Sequence, residues 1–193
     1  LRHVQMVIGS WGAQATDLTP ILMGAVLAAA FAFLVVSPLS SVGVAMAISL
    51  TGVGSCAANV GITVASFTLA AMGASVNPLG GTLAHFVGSP KIQLANMLTK
   101  PKLFLPTTIA AAIMGAISTL LNTKGTPFSA GFGFSGLIGP LTAFNEAGKT
   151  GIAMLNVFIV FVVLPILLAL GMKWLFMTKI NMIQPEDLKL TLK

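Results

Sequence analysis

Long apolar stretches alternate with short, sharply polar punctuation along this chain. Leu1 to Thr19 opens polar and carries Trp11 and Asp17. Asp17-Leu18-Thr19-Pro20 has the form of a helix entry, with Asp17 or Thr19 as cap and Pro20 in the first turn. Ile21 to Val36 is an uninterrupted apolar run closed by Ser37-Pro38. From Ser41 to Ala74 the chain stays apolar but fills with Gly, Ser and Thr, which let membrane helices approach closely and also permit breaks. One long interrupted helix, or two shorter ones, is expected there. Leu103 to Leu121 and Ile152 to Met172 are two further spans. Lys173, Trp174 and Lys179 close the last one as an interfacial anchor.

Two segments between the spans have a character of their own. Residues 76–102 hold Asn77-Pro78, Gly80-Gly81, His85, Ser89-Pro90 and three lysines. They are read as a polar cytoplasmic connection whose opening part, Val76 to Val87, is apolar enough to dip into the membrane. Residues 122–150 carry Gly125, Pro127, Gly131, Gly133, Gly136, Gly139 and Pro140 on an otherwise apolar background. This is a poor continuous helix and too apolar for a free loop. Irregular backbone at membrane depth persists only where protein or a water-filled cavity surrounds it, so a re-entrant hairpin is expected. Residues 180–193 form a polar tail, placed with the lysine-bearing connection on the cytoplasmic side. Lys124 and Lys149, at the feet of the hairpin, then fall on the opposite side.

Composition sharpens the class. Of 193 residues, 56% are hydrophobic and 7% charged, against about 25% charged in a soluble domain. From Leu18 to Pro90 no residue carries a formal charge. Such a chain is an all-α integral membrane protein, with about four to five transmembrane helices and the glycine-rich hairpin. The net charge of +6 comes from bases at the ends of apolar runs, without interleaved aromatics and with no tyrosine. It reads as membrane orientation and not as nucleic-acid binding. Cys56, the single cysteine, excludes an internal disulfide and a cysteine cluster for zinc, and sits among small residues as a packing group. No metal and no cofactor is called for.

The candidate chemistry is sparse. Asp17, His85 and Glu146 are the ionisable residues within or beside apolar segments, where such groups are costly and often functional. Asn145 and Glu146 stand side by side at the end of the hairpin, offering the acceptors and donors that suit sugar hydroxyls. Asn77-Pro78 with Gly80-Gly81 is a candidate helix break of the kind that forms transporter sites. Asn59 and Asn96 are further polar groups on apolar ground. No catalytic triad, phosphate loop or dinucleotide fingerprint appears, and the Gly-x-Gly at Gly131 and Gly133 lacks the flanking strand and helix of a phosphate cradle.

The run from Gly125 to Pro140, the stretch from Asn77-Pro78 through Lys100-Pro101 to Leu105-Pro106, and the small-residue segment Gly52 to Ala71 resemble bacterial phosphotransferase-system EIIC-like permeases, the second EIIC family. The resemblance covers most of the chain, which begins at Leu1 and is expected to be the C-terminal portion of a longer permease. It implies a multi-pass protein of the bacterial inner membrane that moves a sugar while partner cytoplasmic subunits phosphorylate it. It implies a homodimer by analogy alone. In such permeases a glutamate in an Asn-Glu-Pro or similar motif contacts the sugar, with a histidine nearby. Asn145-Glu146 matches the first two positions, the third is Ala147, and His85 is the intramembrane histidine available for the second role. Asn145, Glu146, His85 and Asn77 are thus the expected substrate-binding residues, with the glycine-rich hairpin as gate. Other chains must supply the phosphoryl group. The competing readings are a membrane sensor that keeps the permease fold and a carrier for another small solute.

Overall fold

The structure, a computed structural model, describes residues 19–191. Trp11 and Asp17 lie outside them. Helix α1 spans Pro20–Val35, with Thr19 at its N-cap position and Pro20 in the first turn, where a missing N–H costs nothing. The Ser41-to-Ala74 stretch divides in two: a short α2, Ser41–Ala47, and the 22-residue α3, Gly52–Gly73. The break falls at Ser49 and Gly52, whose φ values of 52° and 62° do not continue a helix. Short helices α4, Leu79–Val87, and α5, Leu94–Thr99, follow. Then come α6, Phe104–Leu120, and α7, Ile138–Glu146. The last helix, α8, runs without interruption from Gly151 to Lys179. Helices α3, α6 (extended by one turn back to Pro101) and α8 are long and apolar enough to cross a membrane, and α1 is a shorter apolar helix.

Helix α3 is the axis of the molecule. It packs against α1, α6 and α8, and 89% of its most apolar window is buried. Between membrane helices there is little hydrophobic gain, so close contact of small residues does the holding. A side chain on Gly61 would strike the Ala28 backbone, and one on Gly115 would strike the backbone of Gly24. The three helices thus touch backbone to backbone. Hydroxyls buried on α3 return to their own helix: Thr63 donates to the Asn59 carbonyl, Ser66 to Ile62 and Thr68 to Val64.

These contacts also give the directions. Gly24 of α1 meets Thr119 of α6, and Phe33 of α1 stacks on Phe104, so α6 runs antiparallel to α1. We call the end of α3 at Gly52 the upper end and the end at Gly73 the lower end. Helix α8 climbs down α3 from the upper end, bringing Ile166 to Leu170 beside Phe67 to Ala74. It stays at the edge, with only 28% of its most apolar window buried. Pro165 removes one N–H from its ladder, and the helix widens to a π turn over Ile159–Val163 just before it. A second π turn, Trp174–Lys179, carries the helix past the expected stop, because Trp174 to Met177 supplies four more nonpolar side chains. Lys179 lies 5.1 Å from the Trp174 ring.

Candidate functional site

Two hairpins enter the helix bundle from opposite ends and meet inside it. The upper one is the glycine-rich segment. Its first leg leaves α6, and Gly125 pairs with Gly52 through two reciprocal backbone hydrogen bonds of 3.0 Å at the top of α3. The leg then descends along α3 until Phe134 meets Phe67. Fifteen helical residues separate Gly52 from Phe67, a descent of about 22 Å. Helix α7 carries the chain back up against α8. The irregular backbone is satisfied on the way: Ser55 donates to the Thr126 carbonyl at 2.7 Å and Ser41 to the Gly131 carbonyl at 2.8 Å. Gly131 lies so close to Val42, and Gly133 to Ile62, that neither place admits a side chain, and Gly133 also has φ 64°.

The lower hairpin is the segment 76–102, which has more form than a surface connection. Helix α4 rises from the lower end of α3, and Phe86 stacks on Phe67 with centroids 4.6 Å apart. The chain turns at Gly88-Ser89 and returns through α5 to the lower end. The two tips touch. Phe86 and Phe134 pack edge to face, and the Ser135 hydroxyl donates to the Gly88 carbonyl. Beside this junction lies a cleft of about 360 Å³. Ser40, Ser41, Ser89, Lys91, Gly131 and Ser135 contribute its polar lining. Lys91 Nζ is held at 3.0 Å by the carbonyl of Ser37 and also by that of Leu39, so it covers backbone acceptors released at the end of α1. The Ser-Pro pairs at Ser37 and Ser89, which in the sequence mark only the ends of elements, are the one sign in the sequence of where this cleft forms.

The expected site residues do not converge on it. Asn145 and Glu146 are exposed at the upper end, at the close of α7, five residues or so before α8 begins. Among the described residues Glu146 has no ion-pair partner, and Lys149 does not reach it. His85 and Asn77 lie at the lower end, tied into a different structure. His85 is fully buried, and its Nδ1 donates to the Gly81 carbonyl at 2.8 Å. Its Nε2 accepts from Gln93 at 3.0 Å, which fixes the neutral tautomer. Gln93 also donates to the Leu188 carbonyl at 2.8 Å. Asn77 donates to the same carbonyl at 2.9 Å and accepts from the Leu190 N–H at 2.8 Å. Asn96 adds a bond to the Lys189 carbonyl. Together these side chains clamp the C-terminal tail, and Lys100 and Lys102 complete the clamp by pairing with Asp187. Gln93 carries no signal in the sequence that marks it for this role. The residues expected to form a gate, Gly125, Pro127, Gly131, Gly133, Gly136, Gly139 and Pro140, lie along the upper hairpin from its foot to the start of α7.

Comparison with known protein families matches residues 1–190 to the family described as phosphotransferase system, EIIC. No curated protein and no solved structure matches the chain. The family match spans nearly the whole sequence and agrees with the apolar, all-helical architecture. The chain belongs to the phosphotransferase-system EIIC family, the permease-type membrane component of that system, whose family implies a sugar substrate and further phosphotransferase subunits as partners.

Proposed function

We propose that the chain is a sugar-translocating permease subunit and that the sugar passes between the tips of the two opposed hairpins. The observation that carries this reading is the junction itself. Two breaks in regular structure, entering from opposite ends, bring hydroxyls, backbone groups and a lysine to a cleft inside an otherwise apolar bundle. Polar recognition and irregular backbone together are what a membrane-embedded site for a hydrophilic solute requires. The sugar class, as distinct from the family's general role, rests on this lining of serine hydroxyls and backbone groups.

In this reading the lower end faces the cytoplasm of a bacterium and the chain is a multi-pass inner-membrane protein. Lys100, Lys102, Lys173, Lys179 and Lys189 gather at the lower end, against Lys124 and Lys149 at the upper end. The cytoplasmic subunits that deliver the phosphoryl group meet the protein there. Asn145 and Glu146, exposed at the upper end, are the first polar groups that an entering sugar meets. His85 and Asn77 contribute by fixing the lower hairpin rather than by touching the sugar.

The test is uptake of a panel of sugars into vesicles holding the full-length protein and its partner subunits, with phosphoenolpyruvate supplied. Uptake of one sugar, reduced at least tenfold in Glu146→Gln and in Ser135→Ala, is expected. Unchanged uptake in Glu146→Gln removes the entry role of the carboxylate. Absence of uptake for every sugar overturns the permease reading and favours a sensor or a carrier for another solute.

A further inference from the structure

We propose that Asn59 is a solute-contacting residue that the upper hairpin covers, and that the hairpin lifts from α3 to uncover it. This rests on the permease reading and names a contact within it. Asn59 lies in the upper half of α3 and is 1% exposed. Its Oδ1 has no hydrogen-bond partner, and among the described side chains the only other such buried atom is the hydroxyl oxygen of Thr123 at the hairpin's foot. Its neighbours on the same helix show how easily the cost is avoided, since Thr63, Ser66 and Thr68 all bond to their own helix. An amide oxygen left unmet in the most buried helix needs a reason, and a second conformation in which it finds a partner supplies one.

The cover over Asn59 is built to come away. It is the stretch from Gly133 to Gly139, and at Gly139 a Cβ would lie 2.5 Å from Asn59 Nδ2 and 2.6 Å from Oδ1. What faces the amide at Gly139 is glycine backbone, while the side chain by which this stretch rests on α3, Phe134, meets Phe67 two turns further down the helix. The same stretch holds three consecutive-to-near positions in the left-handed region: Gly133, Gly136 and Leu137, at φ 64°, 59° and 59°. Such positions absorb large rotations at hinges. Gly131, two residues before the cover begins, already lines the polar cleft, so a lifted hairpin joins Asn59 to it. A carboxamide there offers both an acceptor and two donors, which the hydroxyls of a polyol can meet together.

The experiment uses the full-length protein in membrane vesicles with Cys56→Ala, into which Asn59→Cys or Ala65→Cys is introduced. Ala65 is fully buried, one turn beyond the Gly61 contact with α1. A hydrophilic, membrane-impermeant maleimide is the probe. Labelling of Asn59→Cys with no labelling of Ala65→Cys is the expected result; equal inertness of the two overturns the proposal. In parallel, Asn59→Leu is expected to keep or raise the thermal midpoint in detergent, because an unpaired polar atom leaves the interior. It is also expected to weaken at least tenfold the binding of whichever sugar of the panel shifts the wild-type midpoint. Binding kept within twofold overturns the contact. If no sugar shifts the wild type, the permease reading fails, while the maleimide result still decides whether Asn59 is uncovered.

Discussion

Asp187 is where the tail acquires its dependence on charge. Burial alone would raise this carboxyl, but hydrogen bonds from Lys102, the Gln184 N–H and Lys100, with the Lys100 charge beside it, outweigh burial. They hold it at about 2, below its ordinary 3.8. A released tail keeps the higher value. Docking is therefore fully favoured above 3.8 and loses this contribution as the pH falls through about 2. A nitroxide on Glu186→Cys in a Cys56→Ala background, at an exposed site beside Asp187, reads the change. It is expected to be immobilised at neutral pH, mobile near pH 2, and mobile already at neutral pH in Asp187→Asn. A probe equally immobile in Asp187→Asn contradicts the ion-pair account. His85 acts on the same clamp through geometry. His85→Ala removes the acceptor that Gln93 uses and is expected to cost about 1–3 kcal/mol, seen as a lower thermal midpoint in detergent. A sugar affinity that falls while the midpoint holds returns His85 to the binding role its position in the sequence suggests.

Glycine placement decides how the spanning helices meet. Gly61 and Gly115 let α1 lie directly on α3 and α6, so a larger side chain at Gly115 must force the helices apart. Gly115→Leu is expected to destabilise by about 1–3 kcal/mol through overpacking, while Gly171→Ala, on the open side of α8, leaves the midpoint within error or raises it. Thermal unfolding of the two variants in one detergent checks this, and equal midpoints would deny that the small residues hold the bundle. At this scale much was legible in advance. Apolar runs and their Ser-Pro, Lys-Pro and Gly punctuation place α1, α6 and the start of α8 within a few residues, because a membrane helix needs only length and apolarity. That the stretch from Ser41 to Ala74 is interrupted and that the leg from Gly125 to Leu137 is irregular also follow from local composition, whereas the place of the break, Ser49 to Gly52, does not. What composition does not carry is partnership. Asn77 and Asn96 read as polar groups awaiting a ligand, but the carbonyls of Leu188 and Lys189, about a hundred residues away, satisfy them through contacts no local pattern encodes, and His85 is met by the Gly81 carbonyl and by Gln93, which itself bonds Leu188. For the same reason Ser135 and Lys91, which line the cleft, gave no sign of belonging together.

At the scale of the whole molecule, α3 is fixed and the two hairpins are held by unequal means. The lower one is locked to the tail by amides, a histidine and two ion pairs at the end of the bundle. The upper one is held at its foot by the Gly52–Gly125 pair and the Ser55 hydroxyl, and near its tip by the Ser41 and Ser135 hydroxyls and by Phe134 against Phe67 and Phe86. On the permease reading proposed above, the motion that opens the cleft belongs to the upper hairpin, and it must break the Ser135–Gly88 bond along with the Phe86–Phe134 contact. A reversible bridge at that contact separates motion from mere proximity. In a Cys56→Ala background, Gly88→Cys with Ser135→Cys is expected to form a disulfide under mild oxidation, to stop sugar uptake while oxidised, and to recover uptake on reduction. Either single cysteine should transport at a rate that oxidation and reduction leave unchanged. Full uptake by the bridged protein would mean that the two tips move as one body, and the path of the solute would then have to run outside their junction.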